Sequence, residues 1–420
     1  YQQAHFAQGD NMPTQQFRHV LDGYKVLDFS QFIAGPTTTR LMAQMGAEII
    51  KVEIAPDGDR TRGLPFIRDN RSAYFVQHNL GKLSLCLDAR HPEGNVILRE
   101  LIKKVDVVVE NFAPGVIGRL GFDYASAREL NPRIVMCSVS AFGQTGPLAN
   151  EPGFDFIGQA YAGITSLIGE KDGPPMIPLA AIGDISTGVH AMGAIACALL
   201  HRERSGAGQY IDVSLLDSYF GYHDMALELY TASHGAARVE RSGQHYPGMT
   251  PMGIFKGKEI YFVIVAWQDS HWTQLCTKVM GRPELATDPR FVNNVARTEN
   301  RAQVIEVLET WLASMPDDET SIAALRAVRI PVAPIRPLEQ AINHPHLRER
   351  GTVTTVHDRL LGDFEVPGFP IRFSDFPADT SLQAPLLGEH NESILKSYLG
   401  YTDERISELS ETGVLHSKPY

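Results

Sequence analysis

Residues 24–53 read YKVLDFSQFIAGPTTTRLMAQMGAEIIKVE. Two short runs rich in apolar and β-branched residues, YKVLDFS (24–30) and AEIIKVE (47–53), flank TTTRLMAQMG (37–46), whose apolar residues fall three and four apart and which stops at a glycine. That pattern predicts strand, helix, strand. It continues downstream: LSLCLD (83–88), VDVVVENF (105–112) and RIVMCSVSAF (133–142) are further strand-like runs, and PEGNVILRELIKK (92–104) and YASARELNP (124–132) are helix-like. Strands that are apolar almost throughout suit burial on both faces, which is the situation in a parallel sheet covered by helices. The fold class is therefore α/β, with an open parallel sheet whose ligand crevice lies outside the carboxyl ends of the strands.

Around this core the chain of 420 residues divides by composition. Residues 1–18 are expected to be a flexible arm, 19–220 the sheet-bearing part, and 221–257, polar and rich in Gly and His, a crossing segment. A smaller α/β unit is expected over 258–335, opening with KEIYFVIVAW, and 336–420 hold short strands separated by Pro and Gly. With 43% hydrophobic and 21% charged residues the composition is that of a globular protein with a large core. A net charge of -11 without a run of Lys or Arg argues against nucleic acid as a partner. No apolar run reads as a membrane span, and the first residues lack the basic-then-apolar order of a signal peptide, so a cytoplasmic protein is expected. Cys86, Cys137, Cys197 and Cys276 form no CxxC pair and read as buried thiols in a reducing compartment.

Several chemistries are not encoded. The turn after the first strand, FSQFIAGPTTTR, has no GxGxxG, so it lacks the close backbone approach that a dinucleotide pyrophosphate needs. The 15 histidines are scattered, and His344 and His346 sit in a Pro-containing loop, so no metal site is expected. No GxSxG is present to make a serine nucleophile of Ser138 or Ser186.

One carboxylate stands out. In LAAIGDISTGVHAMGAIACALLHRER (179–204) Asp184 opens an otherwise apolar helical run. Asp is a preferred helix N-cap, and a basic last turn followed by SGAG is a helix stop, so a capping role accounts for it. Against that, Gly183, Gly188 and Gly193 strip bulk from its surroundings, making room for a ligand or for a neighbouring helix. The helix is apolar nearly all round through Ile185, Val189, Met192, Ile195, Leu199 and Leu200, which predicts a central position with the carboxylate beside a core.

The segments VLDFSQFIAGPTTTRLMAQMGAEIIKVE, GDRTRG (58–63), HNLGKLSLCLD (78–88), VVVENFAPG (107–115), RLGFDY (119–124), GFDFIGQAYAG (153–163), AAIGDISTGVHAMGAIACALLHRERSGAGQYIDVSLLD (180–217) and APLLGEHNESIL (384–395) together resemble the class III coenzyme A transferases. That family includes formyl-CoA transferase and carnitine CoA-transferase. The likeness runs in order from about residue 20 to 410. It implies a large Rossmann-like domain built from both chain ends, a smaller domain, and two chains threaded through one another as an interlocked homodimer. It implies further that coenzyme A and acyl-CoA are substrates, with no permanently bound cofactor. By position in the family's motifs, Asp184 is the implied nucleophile, and Ile33, Ala34, Lys82, Asn111, Phe112, Ala113 and Arg119 are the implied CoA contacts, with Asp155 near the thioester. Two departures bear on substrate: Ile33 stands where formyl-CoA transferase has Gln, and SGQHYPGMTPMGIF replaces its run of glycines. A mono- or dicarboxylate larger than formate is therefore expected as acceptor. The racemases of the same fold have a His that is here Phe154. An intramolecular CoA transfer keeps every motif, and a catalytically silent CoA-binding protein is disfavoured by the intact Asp184.

Overall fold

The computed structural model describes residues 18–418. The N-terminal arm expected over 1–18 lies outside them except for Arg18, which pairs with Asp22 at 3.0 Å.

The opening stretch forms β1 (Lys25–Asp28), α1 (Ala34–Gln44) and β2 (Glu48–Ile54). With β3 (Lys82–Leu87), β4 (Val107–Glu110), β5 (Val135–Ser140) and β6 (Gln209–Ser214) they make a six-stranded sheet in the order β3-β2-β1-β4-β5-β6, every neighbouring pair parallel. Leu27 faces Ile50 on one side and Val108 on the other. The strand order reverses between β1 and β4, which is where a crevice forms in a sheet of this kind. The sequence does not flag β6 as a strand, because it lies at the sheet edge and most of its residues keep some contact with solvent.

Alternation along each strand feeds two apolar layers. Leu27, Ile50, Leu85, Val108 and Met136 pack with α2 (Pro92–Ile102) and α3 (Tyr124–Leu130). Val26, Ile49, Val107, Val109, Val135 and Cys137 pack on the other face with α1 and α4 (Ile182–Ser205). Each fully buried leucine or isoleucine contributes roughly 1.5–3 kcal/mol. The C-terminal helices α5 (Asn391–Leu399) and α6 (Asp403–Glu411) complete the first layer through Ile394, Leu395, Ile406 and Leu409.

Helix α4 departs from expectation in three ways. By length and composition it is apolar enough to cross a membrane, which the sequence reading does not find. Ala191, Ile195, Ala198 and Leu199 nevertheless lie in the layer between α4 and the sheet, and Gly188 is so close to α1 that a Cβ there would stand 2.6 Å from the Ala34 carbonyl oxygen. The room made by Gly188 is thus taken by a neighbouring helix. Nor is α4 covered all round: Ile182, Ile185, Val189 and Leu200 are exposed at helical spacing, and so is Cys197, which was expected to be buried. The other three thiols are buried, and all four are unpaired.

Contacts group the chain into two units. Among the described residues, 18–154, 182–218 and 349–418 form the first, and 155–181 and 219–348 the second. The segment 155–181 therefore belongs to the second unit, although the composition places it within 19–220. The return to the first unit falls at 349 rather than 336. The second unit contains an antiparallel sheet, β7 (Met252–Lys256), β8 (Tyr261–Val265) and β9 (Val332–Pro334), in the order β9-β8-β7. Phe255, Phe262, Trp272, Leu308 and Leu325 are among the side chains of its core. A hairpin, β10 (Val353–Asp358) and β11 (Gly362–Pro367), belongs to the first unit.

Candidate active site

Within the first unit a cavity of about 620 Å³ opens at the carboxyl ends of β1, β2, β4 and β5, on the point where strand order reverses. Its walls are the turns that follow these strands: Gln31–Ala34, Ile54–Gly58 with Arg60, Asn111–Pro114, and Ser140–Phe142. Gly153 and Phe154 close one side, and Asp184 is in the lining.

The β1–α1 turn is held in an unusual conformation. Phe32 has φ of 63°, a left-handed backbone that disfavours a bulky side chain. Its ring meets Phe154 edge-on, centroids 5.7 Å apart. Asn111 fixes the same turn from β4, accepting from the Gln31 N–H and donating to the Gln31 carbonyl, both at 2.7 Å. Next to it the buried Glu110 accepts from the Phe112 N–H at 2.8 Å. Burial pushes the Glu110 carboxyl up to about 7.

Beneath the turns lies a buried network of charges. Lys51, fully buried, donates to the Ser30 carbonyl at 2.7 Å and pairs with Asp59 at 2.8 Å, so one ammonium joins the β1 turn to the β2 turn. Asp59 in turn accepts from the Thr61 N–H at 2.9 Å. Glu53 is gripped by Arg62 through two contacts of 2.6 and 2.7 Å and by the Ser84 hydroxyl at 2.6 Å. Burial works against the ionised forms of Asp28, Glu53 and Asp59, but the cations and hydroxyls around them hold all three below the usual carboxylate range.

Of the residues singled out in the sequence, Ile33, Ala34, Asn111, Phe112, Ala113 and Asp184 come together in this cavity. Lys82 does not. It opens β3 with a fully buried side chain whose ammonium bonds Asn79 at 3.0 Å, Asp28 at 3.1 Å and the Pro36 carbonyl at 3.2 Å, while burial pushes it down to about 8. Its partners are internal, so it is part of the network under the cavity. Arg119 is exposed at the end of a short helical turn, Val116–Arg119, outside the lining. A basic side chain that does line the cavity, Arg60, has no signal in the sequence that sets it apart. Asp155 falls in the second unit, buried at the start of the helix Asp155–Tyr161, and accepts a hydrogen bond from the Tyr219 hydroxyl.

Asp184 is the third residue of α4, inside the first helical turn and not at the N-cap position. Its carboxylate there is favoured by the positive end of the helix. Tyr74 shares its surroundings, since the phenol is raised above its ordinary value by burial and then by the charges of Asp184 and Asp59. No cluster of three or more His, Cys, Asp or Glu able to hold a metal ion occurs among the described residues.

Comparison with known proteins fixes the relationship. The sequence pattern of CoA-transferase family III matches residues 21–391. The chain belongs to CoA-transferase family III. It is an enzyme of that class. Among its relatives are a formyl-CoA:oxalate CoA-transferase from Streptomyces avermitilis, 36% identical over 94% of this chain and 99% of that protein, and a succinyl-CoA:glutarate CoA-transferase from Mus musculus, 33% identical over 94% and 90%. A CAIB/BAIF family protein from Brucella suis superposes with a TM-score of 0.79 at 35% identity, covering 91% of this chain and all of that one. The six-stranded parallel sheet is thus a feature of this CoA-transferase family, and acyl-CoA and carboxylic acids are its class of substrate.

Proposed function

We propose that this family III CoA-transferase moves CoA from an acyl-CoA to a free carboxylic acid through covalent intermediates on Asp184. The observation that carries the proposal is the Asp184 carboxylate lining the cavity at the carboxyl ends of the strands. One carboxylate oxygen of Asp184 attacks the thioester carbonyl, forming a mixed anhydride and releasing CoA as thiolate. The thiolate then attacks the aspartyl carbonyl, forming an aspartyl-CoA thioester and releasing the acid. The incoming acid reverses both steps. Each intermediate hydrolyses readily in water, which suits a carboxylate at the edge of an apolar layer.

The acceptor is a mono- or dicarboxylate larger than formate. Supporting this, Ile33 presents an aliphatic side chain where an amide would bind a very small acid, and Phe112 and Ala113 add apolar surface beside it. The relative named for glutarate is in keeping with such a substrate. Incubating the enzyme with succinyl-CoA and a panel of free acids, then identifying the thioesters by mass spectrometry, is expected to show a new acyl-CoA for one acid of three or more carbons. Products from formate alone would refute the assignment, and no exchange with any acid would favour intramolecular transfer.

The working form is a homodimer. The exposed stripe of Ile182, Ile185, Val189 and Leu200 on α4 supports this, because apolar surface repeated at helical spacing is normally covered. If the chains are threaded through one another, as the family resemblance implies, dilution will not separate them without unfolding. Sedimentation at nanomolar concentration is expected to show only dimer, and folded monomers there would disprove the threading. The unpaired thiols are in keeping with a reducing compartment such as the cytoplasm.

A further inference from the structure

Among the described residues the cavity has a single basic side chain in its lining, Arg60, against the carboxylates of Asp57, Glu151 and Asp184. Neighbouring cations are committed to the fold: Lys51 to Asp59 and Ser30, Arg62 to Glu53, Lys82 to Asp28. Arg60 differs. Its side chain is exposed and makes no ion pair or hydrogen bond with other described residues. Asp57, the lining acid closest to it in sequence, is paired with Lys418 at 2.9 Å.

The backbone that carries Arg60 is nevertheless anchored on both sides. Before it, Asp59 is bound by Lys51 and caps the following turn through the Thr61 N–H. After it, the Arg62 guanidinium is gripped by Glu53 and stacks over the Phe75 ring at 3.7 Å. Gly58 leaves no space for a side chain, since a Cβ there would stand 2.5 Å from both Glu53 and Leu387. A cation on a fixed base, open to water and facing a cavity, is arranged to receive an anion from solvent.

We propose that Arg60 is the phosphate-binding residue of this site, its guanidinium holding a phosphate of CoA at the cavity rim. This rests on the reading that CoA occupies the cavity. CoA carries its phosphates at the end remote from the thiol, so the thioester at half-buried Asp184 and the phosphates at exposed Arg60 place each end in a suitable environment. A net charge of -11 disfavours the approach of a polyanion, and a planar guanidinium that donates paired hydrogen bonds to phosphate oxygens offsets that locally.

The test is binding of CoA, 3'-dephospho-CoA and pantetheine to the parent and to Arg60→Gln, by calorimetry at low salt. Because Arg60 supports no other side chain, the variant should melt with the parent. Its Kd for CoA should rise about tenfold to a hundredfold, the usual range for a lost charge-assisted contact, and its Kd for pantetheine should not change. A penalty that disappears with 3'-dephospho-CoA assigns the contact to the 3'-phosphate. One that persists assigns it to the diphosphate. Equal CoA affinity in the two proteins overturns the proposal, as does a penalty of the same size with pantetheine, which has no phosphate. If the parent itself binds no CoA, the occupancy of the cavity fails together with this assignment, a result distinct from parent binding that Arg60→Gln leaves intact.

Discussion

Asp184→Asn is expected to abolish CoA exchange while leaving the protein folded. Asparagine preserves the size of the side chain in the first turn of α4. The substitution removes a charge near the positive end of a helix, worth about 0.3–1 kcal/mol. Exchange, in contrast, should fall by several orders of magnitude, because an amide cannot form the anhydride. The parent, incubated with its acyl-CoA and then hydroxylamine, should carry a hydroxamate on the peptide containing Asp184. A variant that turns over at the parental rate would defeat the covalent role, and so would a label found on Asp155 with Asp184 untouched.

Lys51→Met should have the largest effect on stability. Methionine matches most of the length of the lysine and fills the same volume, so little packing is lost. Among the described residues the ammonium is the only cation paired with Asp59, and its removal leaves that carboxylate buried without its counter-charge and the Ser30 carbonyl without its donor. Breaking one partner of a buried pair costs about 3–5 kcal/mol. Urea unfolding followed by circular dichroism reads the change directly, and a loss below about 1 kcal/mol would show that the network carries little of the stability. Because Ser30 and Asp59 belong to turns that form the cavity walls, KM for acyl-CoA should rise in the fraction that remains folded.

The sheet was legible because parallel strands buried on both faces are mostly apolar, and β1 to β5 are, apart from charges such as Lys51 and Glu53 that pair beneath the cavity, with α1, α2 and α3 spaced between them. β6 was not, since an edge strand in partial contact with solvent carries no such run. The lining was legible at Ile33, Asn111 and Asp184 through the family's motifs, but the chemistry of individual side chains was not. Lys82 follows a glycine turn and looks available to solvent, yet it begins a strand with its side chain directed inward to Asp28. Arg60 and Arg62 stand two residues apart in GDRTRG, and nothing local distinguishes them. Only the fold shows Glu53 facing Arg62, which leaves Arg60 to the cavity. The unit boundaries were hidden for a similar reason: Asp155 and Tyr219, like Gly173 and Arg241, are far apart in sequence, and contacts of this kind tie 155–181 to the second unit.

Residues 388–416 impose an order on folding during synthesis. Asp88 donates to the Val414 carbonyl, His416 to the Cys86 carbonyl, and Gly388 to the Ser84 hydroxyl, so β3 and the segment after it are stitched to residues translated some 300 positions later. Leu409, Val414 and Leu415 also fill the layer beneath the sheet. While the ribosome is still making the second unit, the first therefore exposes the part of this layer that α5 and α6 later cover, together with the edge strand β3. Until residues 388–416 have been made, that unfinished layer is a site for aggregation, and only their docking completes the support beneath the cavity walls.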